Sequence, residues 1–392
     1  MFVLPIPVNT VLEQIKVIDA HKASHIMMLN KAEILPIKVY KVRTPAGNII
    51  KQEMLSAGGE CVVNKNCITC KDDFTDILLL GTVKHYKRLL EKMKLMNYFG
   101  LGQLYQLLSA YIQNHKLKTT LPHGRELTYE QMRVMGIVNI TPDSFFIGSR
   151  KTNTETILTT VEQMLENGAC VIDIGGESTG PGFTPISAKE ELERILPAIT
   201  AIRDRFGNKP IISIDTYKPD TAREALLAGA DIINDINGCI EPAMREVLLK
   251  FDAPAIVMHH LPHAAENTIK NDIVQEVATT LFERTELMRT EGFNADKIII
   301  DIGIGFGKTQ QENLQLIKYV QAFNGLGYPQ LLAVSRKRVL GNALKVDEAT
   351  QRLPATMAIT AHAWQNNVHM IRVHDVLENA HIIQMLEAVK NV

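Results

Sequence analysis

The sequence predicts an α/β chain, with a (β/α)8 TIM barrel over residues 131–392 preceded by a smaller mixed α/β domain over residues 1–125. Three observations carry this expectation. Beyond residue 130, short Val-, Ile- and Leu-rich runs alternate with helix-patterned stretches on a regular beat. Eight such pairs fit into the segment, whose length is the usual size of a TIM barrel, about 250 residues. Before residue 130 that beat is missing.

The pairs follow in order. RVMGIVNI (133–140) is the first strand and TETILTTVEQMLENGA (154–169) the first helix. ACVIDIG (169–175) precedes the amphipathic stretch AKEELERILPAITAIRDRFG (188–207), and PIISIDT (210–216) precedes KPDTAREALLAGA. DIINDING (231–238) is followed by a helix near 241–251, and PAIVMHH (254–260) by a long one over 271–290. KIIIDIGIGFGK (297–308) and PQLLAVSRK (329–337) lead into helices at 310–322 and 349–366; VHMIRVHD (368–375) and a helix over 376–390 close the series. The runs lack strict alternation, as strands covered on both faces do. A doubly wound sheet is the structural alternative, but it usually stops at roughly five to seven strands.

In residues 1–130, PIKVYKVRTPAGNII reads as a hairpin around Pro45-Ala46-Gly47-Asn48 and TDILLLGT (75–82) as a buried strand. HYKRLLEKMKL and GLGQLYQLLSAYIQNHK read as two helices split near Phe99-Gly100, and KLKTTLPHGRE (116–126) as a linker.

Composition narrows the function classes. The 392 residues are 46% hydrophobic and 22% charged, ordinary for a soluble globular protein. No apolar stretch is long enough to span a membrane, and two prolines break the short apolar N-terminus, against a secretory signal. Five cysteines are no disulfide framework, so a reducing cytoplasm is expected. The net charge of −1 conceals +6 over residues 1–130, from 17 Lys and Arg against 11 Asp and Glu. That excess is spread out without aromatic interleaving, which argues against nucleic-acid binding and for a solvated face or one that docks on its acidic neighbour. Cys61, Cys67 and Cys70, with His85 as a fourth ligand, could form a zinc site, but buried thiols are the expected reading.

In a barrel, the C-terminal strand ends face the site. They hold Asn139, Asp173 with Glu177, Asp215, Asn234 with Asp235, His259, Asp301, Lys337, and Arg372 with His374. Asp215, Asn234 and Asp301 would suit a flat heterocycle with amino and ring N–H donors, since carboxylates accept hydrogen bonds. Arg372 and His374 suit phosphate oxygens, and the oxygen of Asn139 suits a hard cation such as Mg²⁺ bridging phosphates. GIGFGK (303–308) resembles a phosphate loop but lacks the Walker spacing; its glycines are expected to let backbone approach a flat ligand.

The segments MGIVNITPDSF (135–145), VIDIGGEST with GPG (171–182), IISIDTYKP (211–219), IINDING (232–238), DIGIGFGK (301–308), SRK (335–337) and IRVHDV (371–376) together resemble dihydropteroate synthase, in order and at the family's spacing. The stretch around DILLLGTVKHYKRLLEKMKL is similar to the extra domain of long bacterial forms. The resemblance implies condensation of 6-hydroxymethyl-7,8-dihydropterin diphosphate with p-aminobenzoate, giving 7,8-dihydropteroate and diphosphate, with Mg²⁺ and a homodimer. It implies that Asp215, Asn234, Asp301 and Lys337 bind the pterin ring and that Ile236, Met258 and Phe306 pack against it. It places Asn139, Arg372 and His374 on the diphosphate, Asn139 on the metal, and Thr179 and Lys337 near p-aminobenzoate; Asn139, Asp215, Lys337, Arg372 and His374 are the expected catalytic set.

Two loops depart from the family. SFFIGSR (144–150) stands where it has SFSDGG, and STGPG (178–182) where it has STRPG, with Arg150 or Lys151 as replacements for the lost charge. The alternatives are a pterin-dependent methyltransferase subunit and a divergent, non-catalytic pterin-binding protein.

Overall fold

The computed structural model describes residues 6–113, 116–140, 150–177, 184–261 and 272–391, with the backbone alone at 150–153. The chain divides into two compact units, Met1–His115 and Lys116–Val392.

The first unit opens with the short helices α1 (Val11–Val17) and α2 (His25–Leu29), then runs β1 (Ile34–Arg43), α3 (Thr44–Ala57), β2 (Glu60–Val63), β3 (Phe74–Thr82), α4 (Val83–Met93) and α5 (Leu101–Gln113). The strands form an antiparallel sheet in the order β1-β3-β2. Alternation along β3 buries Thr75, Ile77 and Leu79 against Ile50, Met54, Tyr86, Leu89 and Met93 of the helices, a small apolar core of its own. The hairpin expected around Pro45–Asn48 is instead the first turn of α3. Pro45 sits in the N-terminal turn, where a missing N–H costs nothing and its fixed φ suits a helix. Left-handed Phe99 and Gly100 do separate the two following helices.

The second unit begins with a hairpin, not a linker. β4 (Lys118–Thr120) and β5 (Glu126–Thr128) pair antiparallel through a turn at His123 and Gly124, both at positive φ. Next come β6 (Arg133–Asn139), α6 (Arg150–Glu166), β7 (Val171–Gly175), α7 (Ala188–Phe206), β8 (Ile211–Asp215), α8 (Pro219–Leu227), β9 (Ile232–Asp235), α9 (Pro242–Lys250), β10 (Ala255–Met258) and α10 (Ile273–Thr290). They continue with β11 (Ile298–Asp301), α11 (Gln310–Lys318), β12 (Gln330–Leu332), α12 (Arg338–Leu344), α13 (Leu353–Gln365), β13 (Met370–Val373) and α14 (Val376–Lys390). β6 to β13 close into an eight-stranded parallel barrel, as expected.

Strand alternation explains what positions the site. Met135, Val171, Ile211, Ile232, Ile256, Ile299, Leu331 and Met370 form one apolar layer inside the barrel, closed from below by Leu121 and Leu127 of the hairpin. Their neighbours along each strand, such as Val134, Ile172, Ile212, Ile233, Val257 and Ile300, face the helices. Two residues above the inner layer, the inward side chains turn polar: Asp173, Ser213, Asn234, Asp301 and Arg372, with Met258 among them. Another step up brings Asn139, Asp215, Ser335 and His374 to the mouth.

Candidate active site

The polar layer is tied together by one arginine. Arg372 Nε donates to Asp173 Oδ2 at 2.5 Å and its Nη2 to Asp215 Oδ2 at 2.7 Å. Asp173 has no exposed surface, and the same Oδ2 also accepts from Asn234 Nδ2 at 3.2 Å. A buried carboxylate without a cation would be costly, so Arg372 is what allows two of them here. Its guanidinium therefore belongs to the ring pocket as much as to the mouth where the sequence placed it.

After these internal bonds, Asp173 Oδ1 is buried without a partner, and three further acceptor atoms remain on Asp215, Asp301 and Asn234. Asp215 Oδ1 is buried without a partner. Asp301 spends Oδ1 on the backbone N–H of Gly303 at 2.8 Å. Among the described residues, no hydrogen bond reaches Asp301 Oδ2 or Asn234 Oδ1. Burial pushes the Asp215 carboxyl up to about 7, against the pull of Arg372, and likewise raises Asp301. A ligand carrying several N–H donors would satisfy these oxygens and stabilise their ionised forms.

Apolar and cationic groups flank the acceptors. Met258, paired with Asp301 in the β10–β11 register, is buried. Lys337 caps the N-terminus of α12; its Nζ donates to Ile304 O at 2.6 Å and lies 4.7 Å from the Phe306 ring centroid, with His260 edge-on to that ring. Burial lowers the Lys337 pKa to about 8, although Asp301 and Asp215 oppose the shift. Ile236 follows β9, half-buried, in the loop that Asp235 staples through the backbone N–H groups of Asn237 and Cys239.

At the mouth, a Cβ added to Gly175 would lie 3.5 Å from Asn139 Oδ1 and 3.6 Å from Asp215 Cβ, so these two residues flank one gap. His374 keeps exposed surface, yet partial burial of its ring and the cations Arg372 and Arg336 push its pKa down to about 4. Its Nδ1 lies 3.0 Å from Ser335 Oγ, whose role the sequence reading missed although it sits in the SRK segment. Arg336 turns away to pair with Asp375, through a left-handed backbone that leaves Lys337 facing the pocket loop.

Several expectations change. Lys308 ties the loop together from within, in line with the missing Walker spacing. Its ammonium is buried and donates to three carbonyls, His259 O at 3.2 Å, Gly303 O at 2.7 Å and Phe306 O at 3.1 Å. Gly303 and Gly307 let backbone meet backbone: a Cβ on Gly303 would stand 1.8 Å from His259 O, and one on Gly307 1.9 Å from Leu261 O, whereas one on Gly305 would lie 3.4 Å from Lys337 Cδ. His259 lies outside the pocket layer, buried, with its pKa pushed down to about 3 by burial and by Lys308. Glu177 pairs with Lys218, which also holds buried Glu191 at 2.9 Å, so it braces β7 and β8. In the first unit, His85 Nδ1 accepts from the Thr82 backbone N–H in a capping box, and no group of three or more metal-ligating side chains occurs among the described residues. Thr179, both altered loops and the side chains of Arg150 and Lys151 lie outside the described residues.

Comparison with known proteins shows the family. The family model of pterin binding enzymes matches residues 135–374. A dihydropteroate synthase of Streptococcus pyogenes is 40% identical over 255 residues, which is 64% of this chain and 94% of the relative. A probable bifunctional folylpolyglutamate synthase/dihydropteroate synthase of Halobacterium salinarum is 37% identical over 358 residues; this match covers 89% of the chain, beyond the barrel, but only 42% of that longer relative. Among solved structures, the Xanthomonas albilineans dihydropteroate synthase with 4-aminobenzoic acid superposes with a TM-score of 0.66 at 34% identity, over 71% of this chain and all of that one. The same enzyme in complex with 7,8-dihydropteroate gives 0.61 at 31% identity, over 70% of this chain and all of that one.

Proposed function

The chain belongs to the pterin binding enzymes, among the dihydropteroate synthases, and from that premise we propose that it condenses 6-hydroxymethyl-7,8-dihydropterin diphosphate with p-aminobenzoate, releasing diphosphate. The observation that carries the reading is the set of three unspent acceptors, Asp215 Oδ1, Asn234 Oδ1 and Asp301 Oδ2, on the inner wall of a barrel mouth. They complement the amino and ring N–H donors of a pterin.

The reaction breaks the C–O bond of a methylene attached to an electron-rich ring. As diphosphate leaves, positive charge spreads into that ring, and the carboxylates of Asp215 and Asp301 stabilise it more strongly than they do the neutral ground state. Arg372 and His374 meet the departing charge; the guanidinium keeps its Nη1 for this, since only Nε and Nη2 are spent on Asp173 and Asp215. The amine of p-aminobenzoate attacks the methylene and loses a proton to water or to diphosphate. An arylamine is nucleophilic enough to need no dedicated base, which fits a site with no Ser–His–Asp or Cys–His arrangement among its described residues. Lys337 and Thr179 are the groups we assign to p-aminobenzoate.

Mg²⁺ fits the donor set as a metal that arrives with the diphosphate, because Mg²⁺ commonly takes one or two protein oxygens and completes its shell with phosphate and water. Asn139, exposed beside Asp215, would supply that oxygen. When bound, the ion would neutralise charge on the leaving group. We also propose a homodimer, which sedimentation of the pure chain tests.

The testing experiment incubates the full chain with pterin diphosphate, p-aminobenzoate and Mg²⁺ and follows diphosphate release. Release that depends on p-aminobenzoate is the expected result. Tight binding of the pterin diphosphate without turnover would overturn it in favour of a non-catalytic binder.

A further inference from the structure

Asp173 is the one acidic residue of the polar layer that the reaction does not use. It is wholly buried, with one oxygen shared between Asn234 Nδ2 and Arg372 Nε and the other, Oδ1, unpartnered. An asparagine amide is two-faced: one end donates, the other accepts, and the ring pocket could in principle meet either. The bond to Asp173 removes that ambiguity. With one N–H of Nδ2 engaged at 3.2 Å, the amide cannot turn over without breaking that bond, so Oδ1 keeps its place as the acceptor offered to a ligand.

The two neighbouring groups are acceptors by nature. Asp215 and Asp301 offer carboxylate oxygens, and Asn234 lies opposite Asp215 in the β8–β9 register. A wall of three acceptors selects a ring edge rich in donors. A wall of two acceptors and a freely turning amide would take an edge with a carbonyl in it. We infer that Asp173 is a positioning residue that fixes the polarity of Asn234 and thereby makes the pocket prefer a 2-amino-4-oxo pteridine over its 2,4-dioxo counterpart. This rests on the pterin reading of the site.

Arg372 has a part in the arrangement. Its Nε also donates to Asp173 Oδ2, so the oxygen that orients Asn234 is itself held in place. A carboxylate is suited to this double duty because one oxygen can accept two hydrogen bonds. An amide oxygen in the same place could do so too, whereas an alkyl side chain could not.

The test titrates the full chain with 6-hydroxymethylpterin and with 6-hydroxymethyllumazine, following pteridine fluorescence, and reads the ratio of the two dissociation constants. Wild type is expected to favour the pterin by about tenfold or more, the scale of one unsatisfied buried polar contact. Asp173→Leu frees Asn234 to turn Nδ2 inward, and the ratio is expected to fall to about threefold or less. Asp173→Asn, which keeps an oxygen acceptor there, is expected to retain most of the preference. A merely structural role would weaken both ligands alike and leave the ratio unmoved, so an unchanged ratio in Asp173→Leu overturns the inference. If that variant does not fold, Asn234→Asp carries the test. A carboxylic acid at 234 donates its proton to Asp173 and keeps its other oxygen inward, so the ratio is expected to persist; its collapse overturns the inference. Wild type that binds neither pteridine would refute the pterin reading itself, a different outcome from a wild type that binds both without preference, which refutes only the inference.

Discussion

Replacing Arg372 by Ala removes the cation that Asp173 and Asp215 share inside the barrel. Asp173 has no exposed side-chain surface and Asp215 only 11%, so solvent screens neither well. The two bonds, at 2.5 and 2.7 Å, are charge-assisted, and breaking a buried pair from one side costs about 3–5 kcal/mol. At roughly 2–4 °C per kcal/mol for a unit of this size, the melting temperature falls by about 6–20 °C. The loss depends on pH. Burial already holds Asp215 up at about 7; without the guanidinium it rises further. A carboxyl whose folded pKa is raised lets the folded state hold an extra proton between its ordinary value and the raised one. Stability is then lost as pH rises through that window. Thermal melts of wild type and Arg372→Ala at pH 5 and pH 8 are the assay, and the gap between the two proteins should be wider at pH 8. A change of less than about 1 °C at pH 8, or a gap that narrows from pH 5 to pH 8, would refute the assignment of Arg372 to these carboxylates. Binding of free hydroxymethylpterin should also weaken, since Arg372 organises the ring pocket as well as meeting the diphosphate.

Other expectations follow from the same contacts. Pterin binding should release up to one proton near pH 6–7, because ring donors favour ionised Asp215 over the protonated form that its pKa of about 7 allows; calorimetry in buffers of different ionisation enthalpy measures it, and affinity should fall as pH drops below 7. Gly303→Ala places a Cβ against His259 O at a φ of +65°, so it should destabilise the barrel by about 1–3 kcal/mol in urea melts and weaken pterin binding. Asp231→Ala strips the partner of Arg125, of Arg203 at 2.7 Å and of the Ile212 N–H at 2.9 Å beneath the barrel; a loss of about 2–4 kcal/mol in urea melts, with the pterin preference unchanged, is the expected result.

Much of this was legible in the sequence, for identifiable reasons. The barrel strands stand out because strands covered on both faces are continuous Val, Ile and Leu runs, and polar residues mark where each reaches the mouth. The same property hides which of two adjacent polar residues points inward. Asn234 and Met258 face the pocket, whereas Asp235 staples a loop and His259 packs behind it, and a run with no alternation carries no parity signal. The role of Lys308 was hidden for another reason: its three acceptors are backbone carbonyls, which no residue type announces. In the first unit, Pro-Ala-Gly-Asn suits a hairpin turn and a helix start alike, and the long apolar face of Ile50 and Met54 decided for the helix. The stretch 116–126 looked like a linker because Leu121 within it and Leu127 just beyond it are buried only once the barrel closes above them.

The most direct measurement is a crystal structure of the full chain with 6-hydroxymethylpterin diphosphate. Our account expects the ring's amino and N–H edge within hydrogen-bond distance of Asp215, Asn234 and Asp301, with the diphosphate toward Arg372, His374 and Asn139. A pterin seated anywhere else, or one that turns its carbonyl toward Asn234, would contradict it.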